Sequence, residues 1–124
     1  MRLLLDAHAF LGWLTDSPAL STRARQNIAD PGNEVALGVG TVWEITIKRS
    51  LGKLRFPHDL DTVLRDEGFA MLGITFAHLR LLETLPQLHR DPFDRLLIAQ
   101  SLAEGIPIVT GDRAFAQYGV ALVW

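Results

Sequence analysis

Short apolar runs alternate with stretches of helical periodicity along the whole chain, and this order leaves few folds open. The first run, Leu3-Leu4-Leu5, does not alternate with polar residues, which is typical of a strand covered on both faces. The next stretch has apolar residues at helical spacing through Leu14. The same reasoning predicts further strands over residues 34–37, 69–74, 106–110 and 120–124.

Helices are predicted between these strands. Ser21 is suited to cap a helix that ends at residue 29, and Gly38 and Gly40 are expected to break the pattern before the next helix. The remaining predicted helices cover residues 41–50, 60–67, 76–85, 92–103 and 112–118. Parallel strands need helical crossovers, so this order predicts a doubly wound α/β fold, with a mostly parallel sheet of about four to five strands and helices on both faces.

The size and composition of the chain limit the classes of protein that are possible. A length of 124 residues suits one domain, here residues 1–124. The absence of cysteine excludes disulfides, thiolate metal sites and cysteine nucleophiles. Because no apolar run approaches the ~18 residues of a membrane span and no signal segment is evident, a cytoplasmic protein without a membrane association is expected.

The charge balance argues mildly against a nucleic-acid partner. The formal net charge is −2, whereas nucleic-acid binders more often carry a basic excess. A cluster of acidic catalytic groups would itself lower the total, and local basic groups remain available. Each such group could equally belong to a solvated helix face. They are Lys48, Arg49, Lys53, Arg55, Arg90 and Arg95.

Four acidic residues are the candidate functional groups. Asp6 follows the first predicted strand directly, and Asp112 lies two residues after Thr110, where a later strand ends. Ligands of such sheets bind beyond the carboxyl ends of the strands, so both acids should face the same edge. Glu44 and Asp94 lie on predicted helices from which they could reach that edge as well.

Each acid also has a purely structural explanation. Asp6 and Asp112 could cap the helices that follow them, and Asp94 lies in a first helical turn, where the helix dipole favours an acid. Glu44 and Lys48 form an i,i+4 pair of the favoured orientation. These roles do not exclude a shared site, and the combination of the four positions favours one.

Four converging carboxylates would repel one another unless a cation lay between them. Like charges ~4 Å apart cost on the order of 4 kcal/mol at an effective dielectric near 20. Oxygen donors without thiolates favour Mg²⁺ or Mn²⁺, which bind through a few carboxylates and substrate phosphate. The chemistry predicted is metal-assisted hydrolysis of a phosphodiester.

Four stretches of the chain carry a family resemblance that covers nearly its whole length. The sequence resembles PIN-domain nucleases and, among them, VapC-type toxins. The third stretch is the most diagnostic. The four are Leu3-Leu4-Leu5-Asp6, Thr41-Val42-Trp43-Glu44-Ile45 with Lys48, His89-Arg90-Asp91-Pro92-Phe93-Asp94-Arg95-Leu96-Leu97-Ile98-Ala99-Gln100, and Val109-Thr110-Gly111-Asp112.

The resemblance implies a three-layer PIN-like fold and a set of site residues. It implies that the acidic quartet binds Mg²⁺ or Mn²⁺ and carries catalysis, with Thr110 as a supporting hydroxyl and Asp91 as a neighbour. An inactive relative would be expected to lack one or more of these acids, so their presence favours an active endoribonuclease. The quartet consists of Asp6, Glu44, Asp94 and Asp112.

The resemblance also implies partners. They are an RNA substrate, a second copy of the chain in a homodimer, and a small cognate antitoxin whose tail occupies the acidic groove. Trp13 and Trp43 could anchor a partner helix, and core packing would explain them as well. His8 and His89 are assigned to no catalytic role.

Two other functions are compatible with this topology. A phosphoryl-transfer enzyme of the haloacid-dehalogenase type would need a second aspartate two residues after Asp6, and His8 stands there. A non-catalytic module could use the acidic groove to bind a basic partner. Metal-dependent cleavage would distinguish that module from a nuclease.

Overall fold

Five parallel strands form the central sheet of the computed structural model, which describes residues 1–124. In chain order the strands are β1 (Arg2–Leu5), β2 (Glu34–Gly38), β3 (Ala70–Leu72), β4 (Ile108–Val109) and β5 (Leu122–Val123). Their order in the sheet is β3-β2-β1-β4-β5. The chain therefore adds β2 and β3 on one side of β1 and then β4 and β5 on the other side, which places the topological switch point between β1 and β4.

Six α-helices and one 3₁₀ helix cover the two faces of this sheet. They are α1 (Ala7–Leu14), α2 (Thr22–Ala29), α3 (Val39–Ser50), α4 (Leu60–Glu67), α5 (Phe76–Thr84), α6 (Pro92–Glu104) and the 3₁₀ helix Arg113–Tyr118. The predicted three-layer α/β fold is confirmed, and the sheet is parallel throughout. No helix is long and apolar enough to cross a membrane.

The first apolar run explains why the core has two halves. Leu3 and Leu5 point to one face of the sheet and Leu4 to the other, and all three side chains are fully buried. The first face packs against α1 to α4, and the second packs against α5 and α6. A strand covered on both faces needs apolar residues at every position, so the run does not alternate.

The start of α3 differs from the prediction. The helix begins at Val39, two residues before the predicted start, and it contains Gly40. A Cβ atom at Gly40 would lie 2.8 Å from the Leu96 side chain on α6, so the missing side chain lets the two helices approach. The glycine is therefore a packing residue inside the helix, and the expectation that it breaks the pattern was wrong.

The outer strands are shorter than the apolar runs that predicted them. β4 has two residues where residues 106–110 were predicted, and β3 and β5 are shortened in the same way. Apolar character extends beyond each ladder because neighbouring residues such as Ile106 and Val120 still pack into the core beneath α6. Burial thus predicts where a strand lies better than where its pairing ends.

Candidate metal and active site

A cavity of about 650 Å³ opens at the carboxyl end of the sheet, and its lining is rich in acidic side chains. All four predicted acids line it. Asp6 and Asp112 leave the adjacent strands β1 and β4, while Glu44 comes from α3 and Asp94 from α6. Asp6 and Asp112 thus face the same edge, as expected from their positions after parallel strands.

Asp6 is the most deeply placed of these acids, and both of its oxygens are engaged. One oxygen accepts a hydrogen bond from the Ala9 backbone N–H at 2.7 Å, so Asp6 caps α1. The other accepts a hydrogen bond from the Thr110 hydroxyl. Burial raises the pKa of the Asp6 carboxyl, although both hydrogen bonds lower it and the charge of Asp112 raises it further.

Thr110 connects two of the acids. Its hydroxyl donates to Asp6 and accepts a hydrogen bond from the Asp112 backbone N–H at 3.0 Å. Asp112 in turn accepts a hydrogen bond from the Ala114 N–H at 2.9 Å and begins the 3₁₀ helix. The two strand-end acids are therefore held in one hydrogen-bonded unit, in which each also caps a helix.

Asp94 carries the strongest electrostatic perturbation of the four acids. The pKa of its carboxyl is raised to about 6, mainly by burial and also by the charges of Asp91, Glu44 and Asp6, whereas His89 lowers it. Asp91 caps α6 by accepting hydrogen bonds from the backbone N–H groups of Phe93 and Asp94. Such mutual repulsion is what a divalent cation would relieve.

The positive charge in the cavity is small. Lys48 is the only lysine or arginine in its lining, and its ammonium lies 3.2 Å from the Glu44 carboxylate. Arg95, which the sequence suggested as part of a surface basic group, is buried and donates hydrogen bonds to the backbone carbonyls of Pro86 and Leu85. The Arg95 guanidinium therefore has a structural role, because carbonyl groups in the interior need hydrogen-bond donors.

Trp13 and Trp43 differ in their surroundings. Trp13 packs against the core and donates its indole N–H to Glu67 at 3.0 Å. Trp43 is 58% exposed and packs edge-on against the ring of Phe93, with 5.2 Å between the ring centroids. Of the two roles that the sequence allowed, core packing applies to Trp13, whereas Trp43 lies on the surface.

Sequence reasoning missed one side chain at this site. His89 lies in the loop before α6, and its Nε2 atom is 3.2 Å from Asp94 Oδ2 and 3.8 Å from Asp112 Oδ2. The three side chains offer metal-ligating atoms within 4.8 Å of one another. His89 belongs to the most diagnostic sequence stretch, but no periodicity reaches into its loop, and nothing in the sequence assigned it a role.

Comparison with known proteins gives a family model and a set of solved structures. A family model described as PIN domain matches residues 3–121. No curated protein matches the sequence.

Three solved structures have a similar fold. VapBC2 from Rickettsia felis, bound to a DNA fragment from its promoter, has a TM-score of 0.67 and 16% identity over 98% of this chain and 97% of that chain. FitAcB from Neisseria gonorrhoeae has a TM-score of 0.66 and 16% identity, over 97% and 95% of the two chains. A toxin-antitoxin complex from Klebsiella pneumoniae has a TM-score of 0.59 and 15% identity, over 92% and 90%. At such identities the likeness is one of fold.

Proposed function

Because the chain belongs to the PIN domain family, we propose that it is a metal-dependent endoribonuclease and the toxin component of a toxin-antitoxin pair. PIN domains are generally nucleases. The observation that carries the proposal is the convergence of four carboxylates, from two strand ends and two helices, on one cavity. The catalytic and metal-binding residues proposed are Asp6, Glu44, Asp94 and Asp112.

The donor chemistry of the cavity suits Mg²⁺ or Mn²⁺. Its lining offers five carboxylates, Asp91 included, and no thiolate, and these hard oxygen donors are what both ions prefer. The raised pKa values of Asp6 and Asp94 show that the protein holds these groups where negative charge is costly. When bound, such a cation supplies the positive charge that activates a water and stabilises a phosphodiester as it is cleaved.

The residues of the chain would prepare the site for that chemistry. The Thr110 hydroxyl and the Ala9 N–H fix both oxygens of Asp6, which leaves the carboxylate little freedom to turn. The Ala114 N–H orients Asp112 in the same way. Groups held in place before the substrate arrives need no reorganisation during the reaction.

RNA is the substrate we propose, on the basis of the family resemblance. Five acidic residues and one lysine in the cavity would repel a polyanion, so a bound cation is also needed for RNA to approach. Lys48 lies at the wall of the cavity, where its ammonium can contact a phosphate that enters. The acidic cavity alone would equally suit a basic protein segment.

The partners we propose are a cognate antitoxin and a second copy of the chain. The solved complex described as a toxin-antitoxin complex has this fold, which supports a partner of that kind. Trp43 is exposed and packs against the partly buried Phe93 close to the acidic helix positions, and we propose Trp43 as an anchor for an antitoxin helix. By the same resemblance, residues 1–124 are one nuclease domain that acts in the cytoplasm.

The test is cleavage of a mixed, fluorescently labelled RNA pool by the wild-type protein and by Asp94→Asn. Each is assayed with Mg²⁺, with Mn²⁺ and with EDTA. We expect cleavage that needs the cation and is lost in the variant. Equal cleavage by both proteins would contradict the acidic site. Absence of cleavage by the wild type, together with cation-independent capture of a basic peptide, would favour the binding module instead.

A further inference from the structure

His89 lies beside two acids of the site but does not line the cavity. Its imidazole Nε2 is within 3.2 Å of Asp94 and 3.8 Å of Asp112, yet His89 is not among the residues that line the cavity. The ring therefore contacts two carboxylates of the site without lining the cavity itself. A group in that place acts on the reaction through the acids.

The hydrogen bond on the other side of the ring assigns its tautomer. Asp91 donates its backbone N–H to His89 Nδ1 at 3.1 Å, which requires a lone pair on Nδ1. A neutral imidazole has one N–H and one lone pair, so the proton is on Nε2. Nε2 consequently carries the proton and has no lone pair for a metal ion.

The loop that carries His89 is fastened at several points. The hydroxyl of Tyr118 accepts the backbone N–H of His89 at 2.7 Å and that of Leu88 at 3.2 Å, and it donates to the Pro86 carbonyl at 3.0 Å. The guanidinium of Arg95 donates to the same carbonyl at 2.8 Å. These hydrogen bonds take the place of those in a helix or strand, and they fix the loop backbone beside the site.

Packing also fixes the ring itself. The imidazole meets the buried ring of Phe115 edge-on, with 5.9 Å between the centroids and an angle of 85° between the planes. A ring held by Phe115 on one side and by the Asp91 N–H on another cannot turn freely. Its Nε2 atom is therefore held at a constant position close to both carboxylates.

We infer that His89 is a positioning residue, whose proton-bearing Nε2 atom lies close to the carboxylates of Asp94 and Asp112 and keeps the two acids together. The inference rests on the proposed function, because it assigns to His89 the task of preparing two of the proposed metal ligands. Two carboxylates this close repel each other, and the positive end of an imidazole dipole held beside them opposes that repulsion. Without it the acids would separate and bind a cation less tightly.

The experiment compares three variants of the full chain in a calorimetric titration with Mn²⁺ and no RNA. His89→Leu keeps a similar volume and has no polar atom, so Kd for Mn²⁺ should rise by about 10- to 100-fold, as is typical when a group that supports metal ligands is lost. His89→Gln can accept from Asp91 N–H and donate to the acids, so it should restore most of the affinity. His58→Leu, at an exposed histidine on another segment, is the matched control and should leave Kd unchanged.

Asp94→Asn separates the two levels of the argument. If the wild type does not bind Mn²⁺, or if Asp94→Asn binds it equally well, the proposed function fails. If Asp94→Asn weakens binding and His89→Leu does not, the function stands and the role of His89 is overturned. A failure of His89→Gln to improve on His89→Leu would also overturn it.

A second measurement does not depend on the folding of any variant. Two-bond ¹H–¹⁵N correlation spectra of the wild type should show the Nε2–H tautomer of His89, both without a cation and with Mg²⁺. An Nδ1–H tautomer in the Mg²⁺ form would mean that Nε2 ligates the ion, which would replace the positioning role by direct coordination.

Discussion

The two ends of the central sheet are built from the same strands and differ in almost every chemical respect. At the carboxyl end lies the cavity of about 650 Å³, with five acids and one lysine in its wall. At the amino ends of β4 and β5 lies a hollow of about 200 Å³ whose wall contains no titratable residue. Its lining residues are Ser101, Leu102, Gly105, Ile106, Pro107, Gly119, Val120 and Ala121.

Topology explains why only one end collects reactive groups. The chain leaves every parallel strand at the same edge, so the residue after β1 and the residues after β4 are brought together there, at the switch point of the sheet. At the opposite edge the chain returns from a helix into a strand, and Gly105 ends α6 in the left-handed conformation to make that turn. The amino end therefore closes the fold, and the carboxyl end is free to carry chemistry.

The carboxyl end also has an energetic cost that the amino end lacks. Burial and neighbouring charges raise the carboxyl pKa values of Asp6 and Asp94, which means that their ionised forms are disfavoured in the folded protein. Each unit of pKa shift corresponds to ~1.4 kcal/mol between the two protonation states. In a site that binds a cation, the positive ion offsets the cost of these ionised carboxylates.

Removal of one charge at each edge of the sheet tests the comparison most directly. Asp6→Asn keeps the shape of the side chain and removes its charge, and we expect kcat/KM for RNA cleavage to fall on the order of 100-fold or more. Glu34→Gln, at the exposed amino end of the neighbouring strand β2, should leave it unchanged. Similar losses in the two variants, measured under one set of cation conditions, would mean that the edges are not functionally distinct.

Two buried hydroxyls, one near each end of β4, provide a matched pair. Thr110 bonds to Asp6 and to the Asp112 N–H, whereas Ser101 donates to the Ile106 carbonyl. Thr110→Val and Ser101→Ala should each lower the free energy of unfolding by about 1–2 kcal/mol, because each leaves a buried partner unsatisfied. Only Thr110→Val should also slow RNA cleavage, by about 10- to 100-fold.

Denaturant unfolding and a cleavage assay on the same preparations measure both quantities. If Ser101→Ala slows cleavage as much as Thr110→Val, the loss follows from general instability, and the special role of the Thr110 hydroxyl is refuted.

The cost of the acidic end should appear in the stability of the metal-free protein. The Asp94 carboxyl has a pKa of about 6 when folded and 3.8 ordinarily, so the folded state binds its proton more tightly. Stability should therefore be highest at acidic pH and fall as pH rises from about 4 to about 6. Above that range Asp94→Asn should unfold with a free energy about 1–2 kcal/mol higher than the wild type, a value reduced for partial solvent access.

Urea unfolding in EDTA across this pH range is the measurement. Asp66→Asn, at an exposed acid on α4, is the control and should follow the wild type. Part of the pH dependence should persist in Asp94→Asn, since the carboxyl pKa of Asp6 is also raised. A wild type that gains stability with rising pH would contradict the electrostatic account of the site.

Much of the architecture follows from local patterns in the chain. The helix that Ser21 caps, the helix that begins at Pro92 and the buried strand at Leu3 to Leu5 were all predicted, because caps, proline positions and apolar runs act over a few residues. The carboxyl edge as the place of the site also follows, since parallel strands impose it. The assignment of the four acids to metal binding and catalysis stays a prediction.

Other features depend on residues that are distant in the chain. Gly40 leaves room for Leu96 of α6 to pack over α3, and His89 meets Asp112 where the loop before α6 is bonded to Tyr118. Trp43 is exposed while Trp13 is packed, although both stand on predicted helices. Local sequence dictates caps, helical periods and the succession of strands and helices along the chain, which depend on near neighbours. Contacts between helices and loops depend on how the whole chain closes, and only that closure brings His89 to the acids.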